Sequence, residues 1–299
     1  MENFRHIPVL LNETLEALNV SAGGKYVDGT FGRGGHSRAI RERGGEILGI
    51  DRDDEAIAAA GELKVVKGRH GDLADIAREN GWDEVDGVLL DLGVSSPQLD
   101  DAQRGFSFMR SGPLDMRMDK SDAVSAKDLV NGESAEYLEG IFREFGEEPQ
   151  ARRIAKAIAA RRGFETTGEL ADFIERTVGR RGAHHPATRV FQALRMAVND
   201  EMGELKRALD GALEILKGGG RLAVITFESL TDRVVKRFFA AHAGRMVSLQ
   251  EGGERWEGEL PRGVLVSRKA IQAGESELEE NPRSRSAKLR VLEKKGFQT

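Results

Sequence analysis

Residues 26–36 read YVDGTFGRGGH: a short apolar run, an aspartate and a glycine-rich turn. The glycines at 32, 34 and 35 let the backbone approach a ligand closely, and they lie where the next predicted helix begins. A strand, such a turn and a helix in this order are typical of the first unit of a Rossmann-like parallel sheet. Domains that bind NAD, FAD or S-adenosylmethionine all begin in this way, so the turn alone does not identify the ligand.

Two aspartates favour S-adenosylmethionine over NAD. Asp28 stands immediately before the glycines, where a carboxylate would repel a pyrophosphate but suits the cationic amino group of a methionine moiety. Asp51 ends the second predicted strand, where an acid accepts hydrogen bonds from ribose hydroxyls. Asp51 fits NAD equally well, so Asp28 decides the prediction. The alternative is that both carboxylates only stabilise helix N-termini.

The remaining chain alternates apolar strand patterns with helical ones, which indicates an α/β fold with a parallel sheet. The predicted strands are Lys25–Asp28, Glu46–Asp51, Lys64–Lys67, Val85–Asp91, Arg221–Phe227 and a late strand at Val264–Ala270. The predicted helices are His36–Arg43, one from about Asp54, Ala135–Phe145, Ala151–Arg162, Gly168–Val178, Pro186–Val198 and Thr231–His242.

The gap between the fourth and fifth strands predicts an inserted domain. About 130 residues separate Asp91 from Arg221, whereas a whole strand–helix–strand unit needs only about 30. The helices within the gap have apolar residues at a 3.6 spacing. We therefore predict a Rossmann-like S-adenosylmethionine-dependent methyltransferase domain, formed by residues 1–105 and 200–299, with a helical substrate-recognition insert at 106–199.

Residues 91–98, DLGVSSPQ, follow the fourth strand, at the edge of a parallel sheet where ligands bind. An aromatic amine is a poor nucleophile because its lone pair is delocalised, and acceptors such as Asp91, Ser95 and Ser96 can hold its protons. We predict these three as catalytic residues, with Pro97 keeping Ser96 extended. The motif only partly resembles that of amino-methylating enzymes, since it lacks a second proline and a tyrosine.

Composition narrows the chemistry further. The chain of 299 residues has no cysteine, which excludes disulfides and a thiol nucleophile. A net charge of −5 argues against a protein that coats nucleic acid non-specifically. No apolar run reaches the roughly 18 residues of a membrane helix and no signal peptide is recognisable, so we expect a cytoplasmic protein.

Two basic stretches, 151–162 and 281–295, are either solvated faces or RNA contacts. Phe106 and Phe108 are either core residues or a stacking surface for a flipped base. We predict RNA contacts at Phe106, Phe108, Arg283, Arg285, Lys288 and Arg290.

The sequence closely resembles the bacterial 16S rRNA (cytosine-4-amino)-methyltransferases, which modify a decoding-centre cytidine. The matching stretches include HIPVLLNE at 6–13, VDGTFGRGGHS at 27–37, GIDRD at 49–53, LLDLGVSSPQLD at 89–100, RGFSFM at 104–109, HPATRVFQALRMAVNDE at 185–201, GGRLAVITFESLTDRVVK at 219–236 and NPRSRSAKLR at 281–290. The resemblance implies methylation of the exocyclic 4-amino group of a P-site cytidine in 16S rRNA of the small ribosomal subunit.

The same resemblance implies site residues. It implies contacts with S-adenosylmethionine at Gly34, Gly35, His36, Asp51, Asp91 and Gln98, and we expect further contacts with the same ligand at Asp28, Gly32 and His70. For His185 it favours a structural turn or an RNA contact, and an RNA contact is also expected at Arg189. Two departures stand out: His70 occupies a position where the family usually has Phe, and Glu228 and Thr231 replace a His and a Glu of the family.

Other readings of the residues remain open. His184 and His185 lack an accompanying metal motif, so we expect no metal requirement. The open alternatives are a methyltransferase acting on DNA, protein or a small molecule, and a nucleotide-binding RNA chaperone without catalysis. The sequence does not predict the oligomeric state.

Overall fold

The structure, a computed structural model, describes residues 7–180, 182, 185–248, 254–257 and 262–296. The chain divides into two compact units: the first comprises Met1–Gly93 and Gly203–Thr299, the second Val94–Met202. The second unit thus begins before the predicted insert boundary at 106. Residues Val94 and Leu99 pack against the hydrophobic core of the second unit, which explains the earlier start.

The first unit contains a seven-stranded sheet of order β3-β2-β1-β4-β5-β9-β8. Its strands are β1 Lys25–Asp28, β2 Glu46–Asp51, β3 Lys64–Lys67, β4 Val85–Asp91, β5 Leu216–Thr226, β8 Gly263–Leu265 and β9 Lys288–Lys294. Strands β1 to β5 pair in parallel, whereas β9 pairs antiparallel with both β5 and β8. A separate hairpin is formed by β6 Arg245–Ser248 and β7 Glu254–Glu257.

Along the chain, the helices of the first unit precede or separate these strands. They are α1 Leu11–Ala17, α2 Gly35–Glu42, α3 Asp54–Ala58, α4 Leu73–Glu79, α12 Ser229–Ala243 and α13 Glu275–Glu280, with α11 Glu201–Ile215 beginning at the unit boundary. The second unit is helical, with α5 Ser96–Asp100, α6 Ala126–Gly132, α7 Ala135–Glu144, α8 Ala151–Arg161, α9 Thr167–Val178 and α10 Ala187–Val198. Within the described residues, no helix combines the length and apolarity needed to cross a bilayer.

The parallel register brings three aspartates to one edge of the sheet. Asp28, the last residue of β1, pairs with Gly49 of β2 and with Leu89 of β4. Asp51 and Asp91, which end β2 and β4, therefore extend two residues beyond the level of Asp28. Continuous apolar runs bury these strands, as expected where helices cover both faces of a sheet.

Strand β5 corrects one expectation. The strand predicted at Arg221–Phe227 begins earlier: α11 ends at Ile215 and β5 runs from Leu216 to Thr226, so it includes Gly218, Gly219 and Gly220. Leu216 pairs with Val85 and Arg221 with Gly87, so the glycines form an irregular segment within the strand.

The end of the chain corrects a second expectation. The late strand predicted at Val264–Ala270 is shorter, Gly263–Leu265, and β9 lies within the basic segment 281–295. Strand formation follows from Leu289, Val291 and Leu292, which are buried in the core.

Candidate functional site

Asp28 is a buried carboxylate at the end of β1, with 1% of its surface exposed. Its Oδ2 accepts a hydrogen bond from the Ser37 hydroxyl at 2.6 Å, and its Oδ1 accepts one from the Thr30 amide at 3.2 Å. Burial raises the pKa of Asp28 to about 6, although both hydrogen bonds oppose the shift. The site therefore holds a carboxylate that would gain from a cationic ligand.

Asp51 fixes the glycine-rich turn. Its Oδ2 accepts a hydrogen bond from the Gly32 amide at 2.8 Å and its Oδ1 one from the Asp53 amide at 2.9 Å. Burial raises the pKa of Asp51, while these two hydrogen bonds lower it. Since each carboxylate oxygen can accept a second hydrogen bond, the expected contact with ribose hydroxyls stays compatible with this structural role.

Asp91 is the least compensated of the three carboxylates. Its amide donates to the Thr30 hydroxyl oxygen at 2.6 Å, but its Oδ1 is buried with no hydrogen-bond partner in the structure described here. Burial and the nearby Asp28 carboxylate raise the pKa of Asp91 to about 7. A buried, unpaired carboxylate oxygen is costly, and its presence indicates that a donor or a cation arrives from a ligand.

The glycine-rich turn is tightly packed as well as left-handed. Gly34, the N-cap of α2, has φ 70°, and a Cβ there would lie 2.5 Å from Cζ of Phe31. A Cβ on Gly35 would lie 2.3 Å from Cγ of Pro8. A side chain at either position would displace the turn, so both glycines hold the backbone amides at the start of α2 in place.

His36 connects the turn to the N-terminal segment. Its Nε2 lies 3.0 Å from the carbonyl oxygen of Val9, and only 6% of the residue is exposed. Because a carbonyl only accepts, Nε2 carries the proton in this contact. The contact fixes the orientation of the ring, with Nδ1 on the side of Asp91, 3.9 Å from Oδ2.

His70 lies in a short turn of 3-10 helix, His70–Asp72, directly after β3. Its Nε2 is buried with no partner among the described residues. Burial, together with the positive charge of Arg52, lowers the pKa of His70 to about 4, although Glu204 opposes the shift. The ring is thus neutral near pH 7 and can take the place of an aromatic side chain. A Cβ on Gly29 would lie 3.5 Å from Cβ of His70, so the ring lies beside the end of β1.

The predicted catalytic serines belong to the second unit, whereas Asp91 belongs to the first. Ser95 is the extended N-cap of α5: its Oγ accepts from the Gln98 amide at 3.4 Å, and its amide donates to Gln98 Oε1 at 2.9 Å. The expectation that Ser96 is extended is therefore wrong, because Pro97 fits the first turn of a helix that begins at Ser96. The Ser96 hydroxyl makes no hydrogen bond within the described chain, whereas Gln98 is buried and partly committed to the cap.

Two of the predicted RNA-binding residues are aromatic and lie in the second unit. Phe106 is 7% exposed and belongs to the hydrophobic core of that unit. We correct the expectation of a base contact for this ring, because stacking needs an accessible face. Phe108 is half-buried and its ring centroid lies 4.8 Å from those of both His185 and Phe191.

His185 and Arg189 are both tied to their surroundings in the second unit. His185 Nδ1 accepts a hydrogen bond from the Ala187 amide at 3.1 Å, and its Nε2 lies 3.5 Å from Glu175 Oε2. Arg189 is exposed, and its Nη1 donates to the carbonyl oxygen of Glu147 at 3.3 Å. His184 lies outside the described residues.

The four cations near the C-terminus that are predicted to contact RNA fall into two pairs with different surroundings. Arg290 donates from Nε and Nη2 to the two carboxylate oxygens of Asp232, at 2.6 and 3.1 Å, and Lys288 Nζ lies 3.4 Å from the same carboxylate. Burial alone would raise the pKa of Asp232, but these cations lower it. Arg283 and Arg285 lie exposed on the preceding turn.

Sequence reasoning missed three residues of the site. Thr30 links Asp28 to Asp91 through its amide and hydroxyl, and Ser37 donates to Asp28. Glu204, fully buried, accepts from the Gly71 amide beside His70 at 2.9 Å. Thr30 and Ser37 lie within the glycine-rich stretch itself, whereas Glu204 is distant in sequence and carries no local signal. Within the described part of the chain, no group of three or more His, Asp or Glu side chains is arranged to hold a metal ion.

Known proteins resemble the whole chain. A family model described as the MraW methylase family matches residues 3–295. A protein of Methylobacterium nodulans named Ribosomal RNA small subunit methyltransferase H is 52% identical, over 97% of this chain and 90% of that protein. A protein of the same name from Citrifermentans bemidjiense is 50% identical, over 98% of this chain and 100% of that protein. The solved structure of TrmN from Thermus thermophilus is a distant match: it is 13% identical, with a TM-score of 0.41, over 95% of this chain and 48% of that one.

Proposed function

The chain belongs to the MraW methylase family, and on this premise we propose that it methylates the exocyclic 4-amino group of the P-site cytidine in 16S rRNA. The methyl donor is S-adenosylmethionine. Methylation of small-subunit ribosomal RNA is the activity in the names of the relatives. The choice of the cytidine amine rests on the family resemblance, the absence of cysteine and the chemistry of Asp91.

The main support for the proposal is the environment of the Asp91 carboxylate. Its Oδ1 is buried and unpartnered, and its pKa is raised to about 7. A carboxylate with a pKa near the working pH is suited to accept a proton from a weakly nucleophilic amine. Asp91 is therefore the proposed proton acceptor, and Ser95 and Ser96 are the proposed hydrogen-bond acceptors that orient the amine.

The carboxylates and the glycine-rich turn fit the donor. When bound, S-adenosylmethionine supplies an electrophilic methyl group on a positively charged sulfur. Neither Asp28 nor Asp91 pairs with a Lys or Arg side chain within the described residues, so both suit a cationic ligand. Asp28 would hold the amino group, Asp51 the ribose hydroxyls, and the backbone at Gly34 and Gly35 would approach the ligand closely.

We further propose a division of labour between the units. The first unit carries the three aspartates and the glycine-rich turn, and binds the methyl donor. The second unit, which contains the predicted insert 106–199, recognises the RNA. The predicted RNA contacts Phe108, His185 and Arg189 belong to the second unit and the donor-binding aspartates to the first, whereas the exposed Arg283 and Arg285 would add RNA contacts from the first unit.

The test uses S-adenosylmethionine with a labelled methyl group and small ribosomal subunits from a strain that lacks this chain. Label should enter 16S rRNA with the wild type and should be lost with Asp91→Ala. Asp75→Ala, which removes an exposed carboxylate paired with Arg78, is the matched control and should retain activity. Label found only in ribosomal protein, or none at all, would overturn the proposal.

A further inference from the structure

We propose that Arg152, Arg153 and Lys156 form a binding site for the phosphate backbone of the RNA substrate. This inference rests on the proposed function, because RNA is the substrate of the protein only if that function is correct. These residues lie in the basic stretch 151–162, which the sequence left open between an RNA contact and a solvated face.

The three cations share one concave surface. With Pro149 and Gln150 they line a cavity of about 450 Å³ that is wide open to solvent. Sites for small molecules enclose about 70–90% of the ligand surface, so an open cavity of this kind is poorly suited to a metabolite. It is well suited to the phosphates of a polymer, which keep much of their hydration when they bind.

The helix presents these cations in a fixed arrangement. Lys156 follows Arg152 by four residues and Arg153 by three, so the three side chains project from neighbouring positions on α8. The opposite face of α8 is anchored, because Ala151, Ile154, Ala155 and Ile158 are all buried in the core of the second unit. A rigid helix therefore holds three exposed positive charges together.

Among the residues that the structure describes, these three cations have no partner. Arg152, Arg153 and Lys156 are exposed, and none makes an ion pair or a side-chain hydrogen bond with another described residue. Like charges at this spacing repel each other. The repulsion is relieved by an anion that contacts several of them at once.

The other two cations of the same stretch behave differently. The guanidinium of Arg161 lies 4.7 Å from the ring centroid of Phe164 and 5.0 Å from that of Phe173. Arg162 donates to the carbonyl oxygens of Val130 and Glu133. These two side chains stabilise the fold, and the first three remain available for a ligand.

Two glutamates, Glu147 and Glu148, directly precede the residues that line the cavity. The carboxylate of Glu148 accepts a hydrogen bond from the Gln150 amide at 2.9 Å and is thereby held against the backbone. Arg189, an expected RNA contact, donates to the carbonyl oxygen of Glu147 just before the cavity-lining Pro149. A further exposed cation therefore lies close to the cavity.

The test compares RNA binding of the wild type with that of the variant R152A/R153A/K156A across a series of salt concentrations, using small ribosomal subunits as the probe. The control is R41A/K67A/R78A, which removes the same charge from exposed ion pairs of the first unit. Each lost phosphate contact should reduce the slope of log affinity against log salt by about 0.7–0.9.

We expect the slope to fall by about two or more with the α8 variant and to stay unchanged with the control. The KM for the subunits should rise about tenfold or more, with kcat and the affinity for S-adenosylhomocysteine within about twofold. An unchanged slope and KM in the α8 variant, with an active wild type, would overturn this inference alone. A wild type that neither binds nor methylates the subunits would overturn the proposed function, and the inference with it.

Discussion

Oδ2 of Asp91 lies 3.9 Å from Nδ1 of His36, too far for a hydrogen bond, while Oδ1 of the same carboxylate is buried without a partner. His36 donates from Nε2 to the carbonyl oxygen of Val9, and Nδ1 is the ring nitrogen on the side of Asp91. Burial and the nearby Asp28 carboxylate raise the pKa of Asp91, so its charged form is disfavoured in the folded protein. The fold accepts an unfavourable carboxylate here, as active sites often do at the expense of stability.

Asp91→Asn should therefore stabilise the protein at pH 8 while removing its activity. The pKa of Asp91 is raised from 3.8 to about 7, so the folded state binds this proton more tightly than the unfolded state. The resulting stability is present at low pH and is lost as the pH rises through 7. The free energy of unfolding should rise by up to about 4 kcal/mol at pH 8, and the gain should shrink toward pH 4.

Denaturant titrations of the variant at both pH values measure this gain. Asp232→Asn is the control with the opposite sign, because Arg290 and Lys288 lower the pKa of Asp232 and the variant should lose stability at pH 8. A loss of stability in Asp91→Asn at pH 8 would contradict the assignment of Asp91 as an uncompensated carboxylate.

Asp51→Ala should weaken the binding of S-adenosylhomocysteine by about tenfold or more, because a charge-assisted hydrogen bond to a ribose hydroxyl contributes about 1.5–3 kcal/mol. The structure adds a second effect: the variant also leaves the amides of Gly32 and Asp53 without an acceptor, so the melting temperature should fall. Calorimetry and thermal denaturation separate the two effects. Unaltered affinity in the folded variant would exclude Asp51 from the donor site.

His70→Phe restores the residue type usual in the family and should keep the affinity for S-adenosylhomocysteine. The pKa of His70 is lowered from 6.5 to about 4, so the wild type loses stability as the pH falls below 6.5 and the unfolded chain takes up the proton. Phe cannot titrate, so the variant should be more stable relative to the wild type at pH 5 than at pH 8, by about 2 kcal/mol. The same difference at both pH values, or a large loss of affinity, would show that the imidazole has another role.

The four C-terminal cations should separate into two pairs by their effects. Arg283→Ala with Arg285→Ala should reduce the salt slope of RNA binding, since both side chains are exposed. Lys288→Ala with Arg290→Ala should instead lower the free energy of unfolding by about 1–3 kcal/mol, because the Asp232 carboxylate loses its partners. Denaturant titrations and RNA binding at several salt concentrations distinguish the pairs. Equal effects on the salt slope would mean that the pairing with Asp232 opens when RNA binds.

The sequence predicted the structure correctly where the signal lies within a few neighbouring residues. The structure confirms the bounds of β1 to β4, because each is a short apolar or β-branched run ended by a turn or an aspartate. Since those strands are parallel and adjacent, placing Asp28, Asp51 and Asp91 at their ends was enough to predict that the three carboxylates share one edge of the sheet.

The features that the sequence did not predict depend on contacts between residues that are distant along the chain. Lys288 and Arg290 resemble a basic surface when read alone, and only the pairing of β9 with β5 and the position of Asp232 on α12 show their structural use. Phe106 carries no sequence signal that separates a core ring from a stacking ring. The unpartnered oxygen of Asp91 is also a property of the folded surroundings, which no motif states.

Ser96→Ala should lower turnover by about tenfold or more while leaving the affinity for S-adenosylhomocysteine within about twofold, because a group that orients the amine contributes to rate rather than to donor binding. Ser134→Ala is the matched control: it removes the N-cap of α7 and should cost about 1 kcal/mol of stability without lowering turnover. Full turnover in Ser96→Ala would exclude that hydroxyl from the reaction.

The identity of the methylated nucleoside tests the central claim most directly. Small subunits methylated by the purified protein would be digested to nucleosides, and the product separated by chromatography against cytidines methylated at the 4-amino group, the ring carbon and the ribose. We predict cytidine methylated on its 4-amino group. A product methylated on the ring carbon or on the ribose would contradict the assignment of Asp91 as the acceptor for an amine proton.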